Sequence, residues 1–122
     1  MRAKNGSLIS TQVALTADWQ SPAIWLDSAI VYSLQITFSG TPDGDFSIEM
    51  SNDDLDYDDI YLSGKTITNW TTVGSTTITA PGSADDAGWN VTDCGYKWAR
   101  LVYTYNTTNG FLDSARFQVK GA

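Results

Sequence analysis

Histidine is missing from this sequence altogether. Its absence removes the Ser-His-Asp and Cys-His catalytic arrangements, and with them His-rich zinc sites. Cysteine occurs once, at Cys94, so the chain cannot form an internal disulfide. A cross-link between two chains stays open, against the plainer reading of a small half-buried thiol in the turn Asp93-Cys94-Gly95. Glutamate also occurs once, at Glu49. A paired-carboxylate hydrolase would have to use aspartates, most of which crowd into one loop, and no pair is placed in a defined cleft. Seven basic residues face fourteen acidic ones, giving a net charge of −7. That balance argues against nucleic-acid binding by phosphate neutralisation. It favours solubility, repulsion between free copies and docking onto a basic surface. No apolar run approaches the ~18 residues that a membrane helix needs. Met1-Arg2-Ala3-Lys4-Asn5 leads into polar sequence, unlike a secretory signal, so the expectation is synthesis in a cytoplasm without a signal peptide.

What is present is strand and turn. The chain has 122 residues, 42% of them hydrophobic, enough for one globular unit that buries roughly two thirds of its unfolded surface. Tyr32 to Ser39 alternates strictly, with Tyr32, Leu34, Ile36 and Phe38 on one side and Ser33, Gln35, Thr37 and Ser39 on the other. Gly40-Thr41-Pro42-Asp43-Gly44 reads as a turn in which Gly44 is able to take a positive φ. Asp45 to Ser51 follows with Phe46, Ile48 and Met50 inward, so Tyr32–Phe38 and Phe46–Met50 are expected to pair as a hairpin. A second, longer hairpin is expected near the end of the sequence, from Tyr96–Tyr105 through Asn106-Thr107-Thr108-Asn109-Gly110 to Phe111–Lys120. Short strands are expected at 23–26, 70–73, 76–79 and 89–91. Helical periodicity is nowhere sustained, and the abundant threonine favours strand.

The fold class expected is therefore all-β: an antiparallel β-sandwich or jelly-roll-like barrel of about seven to eight short strands, without substantial helix. Residues 1–20 are polar and weakly patterned, an arm or an edge strand. Residues 21–122 form the sandwich, with no internal repeat and no dividing linker.

Two groups of side chains could carry a ligand. Asp54-x-Asp56-x-Asp58 has the alternation that lets carboxylates converge on a hard cation, making calcium the one candidate cofactor. The calcium-loop pattern then fails, with Asp59 where glycine is wanted and Lys65 where glutamate is wanted; a solvated, self-repelling loop is the alternative. The second group is aromatic. Trp89, Trp98 and Tyr32 lie in apolar strand patterns, as core residues do. Trp25, Tyr57, Tyr61 and Trp70 are less tied to a strand face and would serve a subunit interface or a platform for sugar rings. Three Asn-x-Thr sequons, at Asn69, Asn90 and Asn106, are ascribed to chance in a threonine-rich chain. Arg100, a lone cation in an apolar strand, is expected to pair with a carboxylate or lay its stem along the sheet.

Three ordered blocks carry a family resemblance. The first runs from Ser33-Leu34-Gln35-Ile36 through Ser39-Gly40-Thr41-Pro42 to Gly44-x-Phe46-x-Ile48-x-x-Ser51-Asn52-Asp53. The second is Asn69-Trp70-Thr71. The third is Gly95-Tyr96-Lys97-Trp98-Ala99-Arg100-Leu101-Val102-Tyr103 with Gly110 and Lys120-Gly121. In this order, over roughly residues 20 to 122, the chain resembles small bacteriophage virion structural proteins. The resemblance rests on order, since each block alone is only strand and turn. It implies a non-enzymatic β-sandwich in the virion: a capsid decoration or head-associated protein made in the host cytoplasm, assembling in several copies with other virion proteins such as the major capsid protein. A trimer is the expected homo-oligomer. Asn52, Asp53 and Arg100 match the pattern as structural residues, and the Asp54–Asp59 loop departs from it. The alternative is a carbohydrate-binding or host-receptor-binding β-sandwich module of a spike or tail, which would bind a glycan.

Overall fold

The structure is a computed structural model and describes residues 4–26, 31–73, 77–92 and 94–121. Thr76 and Asp93, which belong to the expected 76–79 strand and Cys94 turn, and the first three residues lie outside the described residues.

The described residues form eleven strands and one short helix. The strands are β1 (Lys4–Ser7), β2 (Val13–Leu15), β3 (Trp19–Gln20), β4 (Ile24–Trp25), β5 (Val31–Gly40), β6 (Asp45–Ser51), β7 (Thr71–Thr72), β8 (Ile78–Thr79), β9 (Asp85–Val91), β10 (Trp98–Thr104) and β11 (Gly110–Lys120); the helix α1 (Tyr57–Tyr61) lies between β6 and β7. They make two antiparallel sheets, as the sequence implies. Sheet A runs β1-β11-β5-β9, with β2 continuing the β1 edge against β11. Sheet B runs β3-β10-β6-β7, with β4 also on β10 and β8 also on β6. The short strands thus share edges, and the chain fills eight strand positions. Broken edges of this kind also blunt the tendency of a sheet to recruit further strands.

The two expected hairpins do not exist. Strand β5 pairs with β11 and β9 in sheet A, whereas β6 pairs with β10, β7 and β8 in sheet B. The segments joined at 41–44 and at 105–109 therefore face each other across the sandwich as two arches. Alternation cannot separate the two cases, because a hairpin and an arch bury the same residues of each strand. Contacts between the arches distinguish them. The Asp43 carboxylate accepts hydrogen bonds from the backbone N–H groups of Thr107 (3.0 Å) and Thr108 (2.9 Å) and from the Thr107 hydroxyl. Thr41 donates its N–H to the Asn109 carbonyl at 3.1 Å. These donors, the Thr107 hydroxyl foremost, hold Asp43 well below the usual carboxylate range.

The glycine roles in this turn also differ from expectation. Gly40, not Gly44, has the positive φ, at 78°. Gly44 is needed for close approach: a Cβ there would collide with the Thr104 carbonyl and lie 2.6 Å from the Tyr103 hydroxyl. That hydroxyl accepts the Gly44 N–H at 2.9 Å.

Between the sheets, Leu34, Ile36 and Phe38 meet Phe46, Ile48, Met50, Leu101 and Tyr103, all buried. Phe38 and Phe46 approach to 5.3 Å between ring centroids, and Phe46 and Tyr103 to 4.7 Å. Trp89 and Cys94 are buried in the same core.

The outer faces of the two sheets differ. On sheet A, Gln35, Gly88, Asn90 and Arg116 are exposed. On sheet B, residues 52–70 fold back over the outward side of β10 and bury Trp98 completely.

Candidate functional site

The 52–70 segment owes its shape to its own polar side chains. Asp56 caps α1, accepting from the Asp59 N–H, and Asp59 returns the bond to the Asp56 N–H, both at 3.0 Å. This reciprocal box satisfies donors that a helix of five residues would otherwise leave open. Asp53 closes the base of the segment by accepting from the Thr68 N–H (2.7 Å) and hydroxyl (3.0 Å), and Ser51 donates to the Thr68 carbonyl at 2.7 Å. The Thr68 bonds lower the pKa of Asp53; the Asp56 N–H, then Lys65, lower that of Asp59.

The acidic residues are thus divided among structural tasks. Asp54 pairs with Lys97 at 3.1 Å, Asp56 is the cap, and Asp58 sits in the first turn of α1. The structure does not bring Asp54, Asp56 and Asp58 together: no group of three Asp, Glu, Cys or His side chains able to hold a metal occurs among the described residues.

The aromatic candidates behave differently. Trp25 stands opposite Trp98 across the β4–β10 pair, with ring centroids 4.9 Å apart. Tyr61 lies 5.9 Å from Trp98, and Tyr57, one helical turn earlier, lies 4.5 Å from Tyr61. Helical spacing of four places both tyrosines on one face of α1. The Tyr61 hydroxyl donates to the Ala23 carbonyl at 2.7 Å and pins α1 to β4. Burial raises the pKa of Tyr61. Trp98 anchors this chain of rings from below, its indole N–H donating to the Leu55 carbonyl at 3.0 Å. Trp98 belongs to the outer face of sheet B, and the sandwich core lies on the opposite side of β10.

Trp25, Tyr57 and Tyr61 line one groove of about 590 Å³, completed by Pro22, Ile24, Leu8 and Phe117, with Asn5 and Ser7 among its polar lining residues. It opens between β1, β4 and α1, and among the described residues no charged side chain lines it. Tyr57 is 51% exposed and Tyr61 45%, so both offer ring surface to a ligand. Trp70 is elsewhere. Its ring covers the Arg100 guanidinium at 4.2 Å, and Arg100 is itself held by Glu49 at 2.6 Å. The expected carboxylate partner of Arg100 is therefore Glu49, directly opposite it in the β6–β10 register. Phe117 and Asn5 are lining residues with no sequence signal, since one lies mid-strand and the other in the weakly patterned start.

No family model matches the chain, and no curated protein matches it in sequence. Among solved structures it is similar to the SPBc2 prophage-derived protein YomS, with a TM-score of 0.51 and 9% identity, covering 97% of this chain and 92% of that one. At that identity the likeness concerns the fold. Two further structures align below a TM-score of 0.5 and carry no argument. One is chitosan-binding module 1 of a chitosanase/glucanase from Paenibacillus sp. IK-5 (0.48; 22% identity; 98% and 94% covered). The other is TmCBM61 in complex with β-1,4-galactotriose (0.45; 10% identity; 94% and 86% covered).

Proposed function

We propose that this protein is a non-enzymatic saccharide-binding module. The observation that carries the reading is the convergence of Trp25, Tyr57 and Tyr61 on a single groove that no charged side chain lines among the described residues. An aromatic face carries partial negative charge, which attracts the slightly positive C–H bonds on the flat side of a sugar ring. The groove adds polar groups at Asn5 and Ser7 that can set the orientation of hydroxyls, the usual division of labour in a small-ligand site. The lining of the groove suits a neutral sugar, and the aspartates from Asp53 to Asp59, before and within α1, disfavour an anionic one.

A glycan array tests the reading. Wild-type protein should bind a neutral glycan, and Tyr57→Ala should lose that binding while keeping its fold. An array without a neutral binder, or binding unaltered in Tyr57→Ala, contradicts it.

A second reading keeps the protein in a virion as a decoration or head-associated subunit. One observation favours it beyond the sequence blocks: α1 and its cap leave three large hydrophobic side chains exposed, Tyr57, Tyr61 and Leu62, the last at 76%, as a subunit contact would. Light scattering decides here, since a monomer at high micromolar concentration removes the self-assembly part of this reading. The two readings join if the module presents its groove on a particle surface.

A further inference from the structure

We propose that the outer face of sheet A is a second saccharide site, a polar groove that takes a short neutral oligosaccharide laid across the strands. The choice of ligand class rests on the saccharide-binding reading above; the site itself rests on separate observations.

The strand registers set polar side chains in rows. Asn5 stands opposite Gln118, Gln118 opposite Ser33, and Ser33 opposite Asn90, so one row crosses β1, β11, β5 and β9. The next row sets Arg116 opposite Gln35 and Gln35 opposite Gly88. At ~4.8 Å between neighbouring strands, a row of four spans about 14 Å. These residues line a depression of about 770 Å³. Asn5, Gln35, Asn90, Arg116 and Gln118 make no side-chain hydrogen bond or ion pair with another described residue. Their donors and acceptors are turned to solvent and available. An amide presents a donor and an acceptor side by side, matching a pair of neighbouring sugar hydroxyls, and the guanidinium offers a fixed fork of donors.

Gly88 marks this face as more than a solvated sheet surface. Glycine inside a strand weakens it, and its usual justification is a bulge, a crowded neighbour or a close ligand. None of the structural reasons applies. The β5–β9 register runs unbroken through Gly88, its φ is not in the left-handed region, and a Cβ there would meet only the Leu34 carbonyl oxygen, at an ordinary 3.5 Å. What the missing side chain provides is floor space in the middle of the groove. The two grooves also share Asn5 and Phe117 as lining residues.

The test is an NMR titration of ¹⁵N-labelled protein with neutral hexose and N-acetylhexosamine di- to hexasaccharides. With one of these, the amide signals of Gln35, Gly88, Asn90 and Gln118 should shift on binding. Gly88→Leu, which fills the floor, should weaken that response at least about tenfold. The double variant Gln35→Ala with Gln118→Ala should do the same without adding bulk. Shifts confined to Tyr57, Tyr61 and Trp25 overturn the sheet-face site and leave the aromatic groove standing. Shifts confined to sheet A support the sheet-face site and overturn the aromatic groove. Sheet-face shifts that both variants leave unchanged, or no shifts anywhere, overturn the proposal.

Discussion

The two outer faces of this sandwich show how one scaffold handles exposed sheet in opposite ways. Sheet B hides its outward aromatic ring: Trp98 is covered by residues 52–70, and Arg100 is covered by Trp70 and neutralised by Glu49. Sheet A leaves amides, a hydroxyl, the Arg116 guanidinium, the Asp86 carboxylate and a glycine open. The covered face converts side chains into stability and a shaped edge, from which Trp25, Tyr57 and Tyr61 project. The open face leaves its hydrogen-bonding capacity for something that is not part of the chain. A solvated face is common on antiparallel sheets; the glycine at the centre of this one is the feature on which the proposed site rests.

The largest effect that would break this comparison is on the covered face. Trp98→Ala removes the ring on which Trp25 and Tyr61 rest, and should cost about 3–5 kcal/mol in urea unfolding. A cost below ~1 kcal/mol would mean that the 52–70 segment is not anchored through this ring. Glu49→Ala comes next. It leaves Arg100 partly enclosed without its carboxylate and should cost about 1–2 kcal/mol, less than a fully buried pair because both partners keep some water contact. The third prediction concerns the arches that set the two faces apart. The pKa of Asp43 is lower in the folded protein than the unfolded value near 3.9. Its contribution is therefore complete above about pH 4 and fades as pH falls through the folded value. The melting-temperature gap between wild type and Asp43→Ala should narrow as pH drops below about 4; a constant gap would remove Asp43 as the link between the arches. The smallest stability effect is at Tyr57. Tyr57→Ala should stay within about 0.5 kcal/mol of wild type, because half of the residue is already exposed.

The sequence made some of this legible and hid the rest for identifiable reasons. Alternation located β5 and β6 closely and identified the inward residues of both, because period two is a local property of the chain. It could not say that β5 and β6 lie in different sheets. That is decided by Asp43 reaching Thr107 and Thr108, more than sixty positions away. The helix α1 escaped notice because five residues cannot show a period, although Asp56 and Asp59 at cap spacing were a usable signal. Trp98 was rightly expected to be buried, but its partners lie outside the sandwich core. Of the four aromatic candidates, Trp25, Tyr57 and Tyr61 meet through α1 docking on β4, which no local pattern reveals, while Trp70 is occupied by Arg100. The amide face could have been suspected from Gly88 beside an otherwise strand-like Trp89–Val91.

Isothermal titration calorimetry of wild-type and Tyr57→Ala protein with a neutral oligosaccharide selected on the glycan array tests the central claim most directly. The account predicts measurable binding to the wild type and at least about a tenfold loss in Tyr57→Ala, with the melting temperature unchanged. Equal affinity in the two proteins would contradict it.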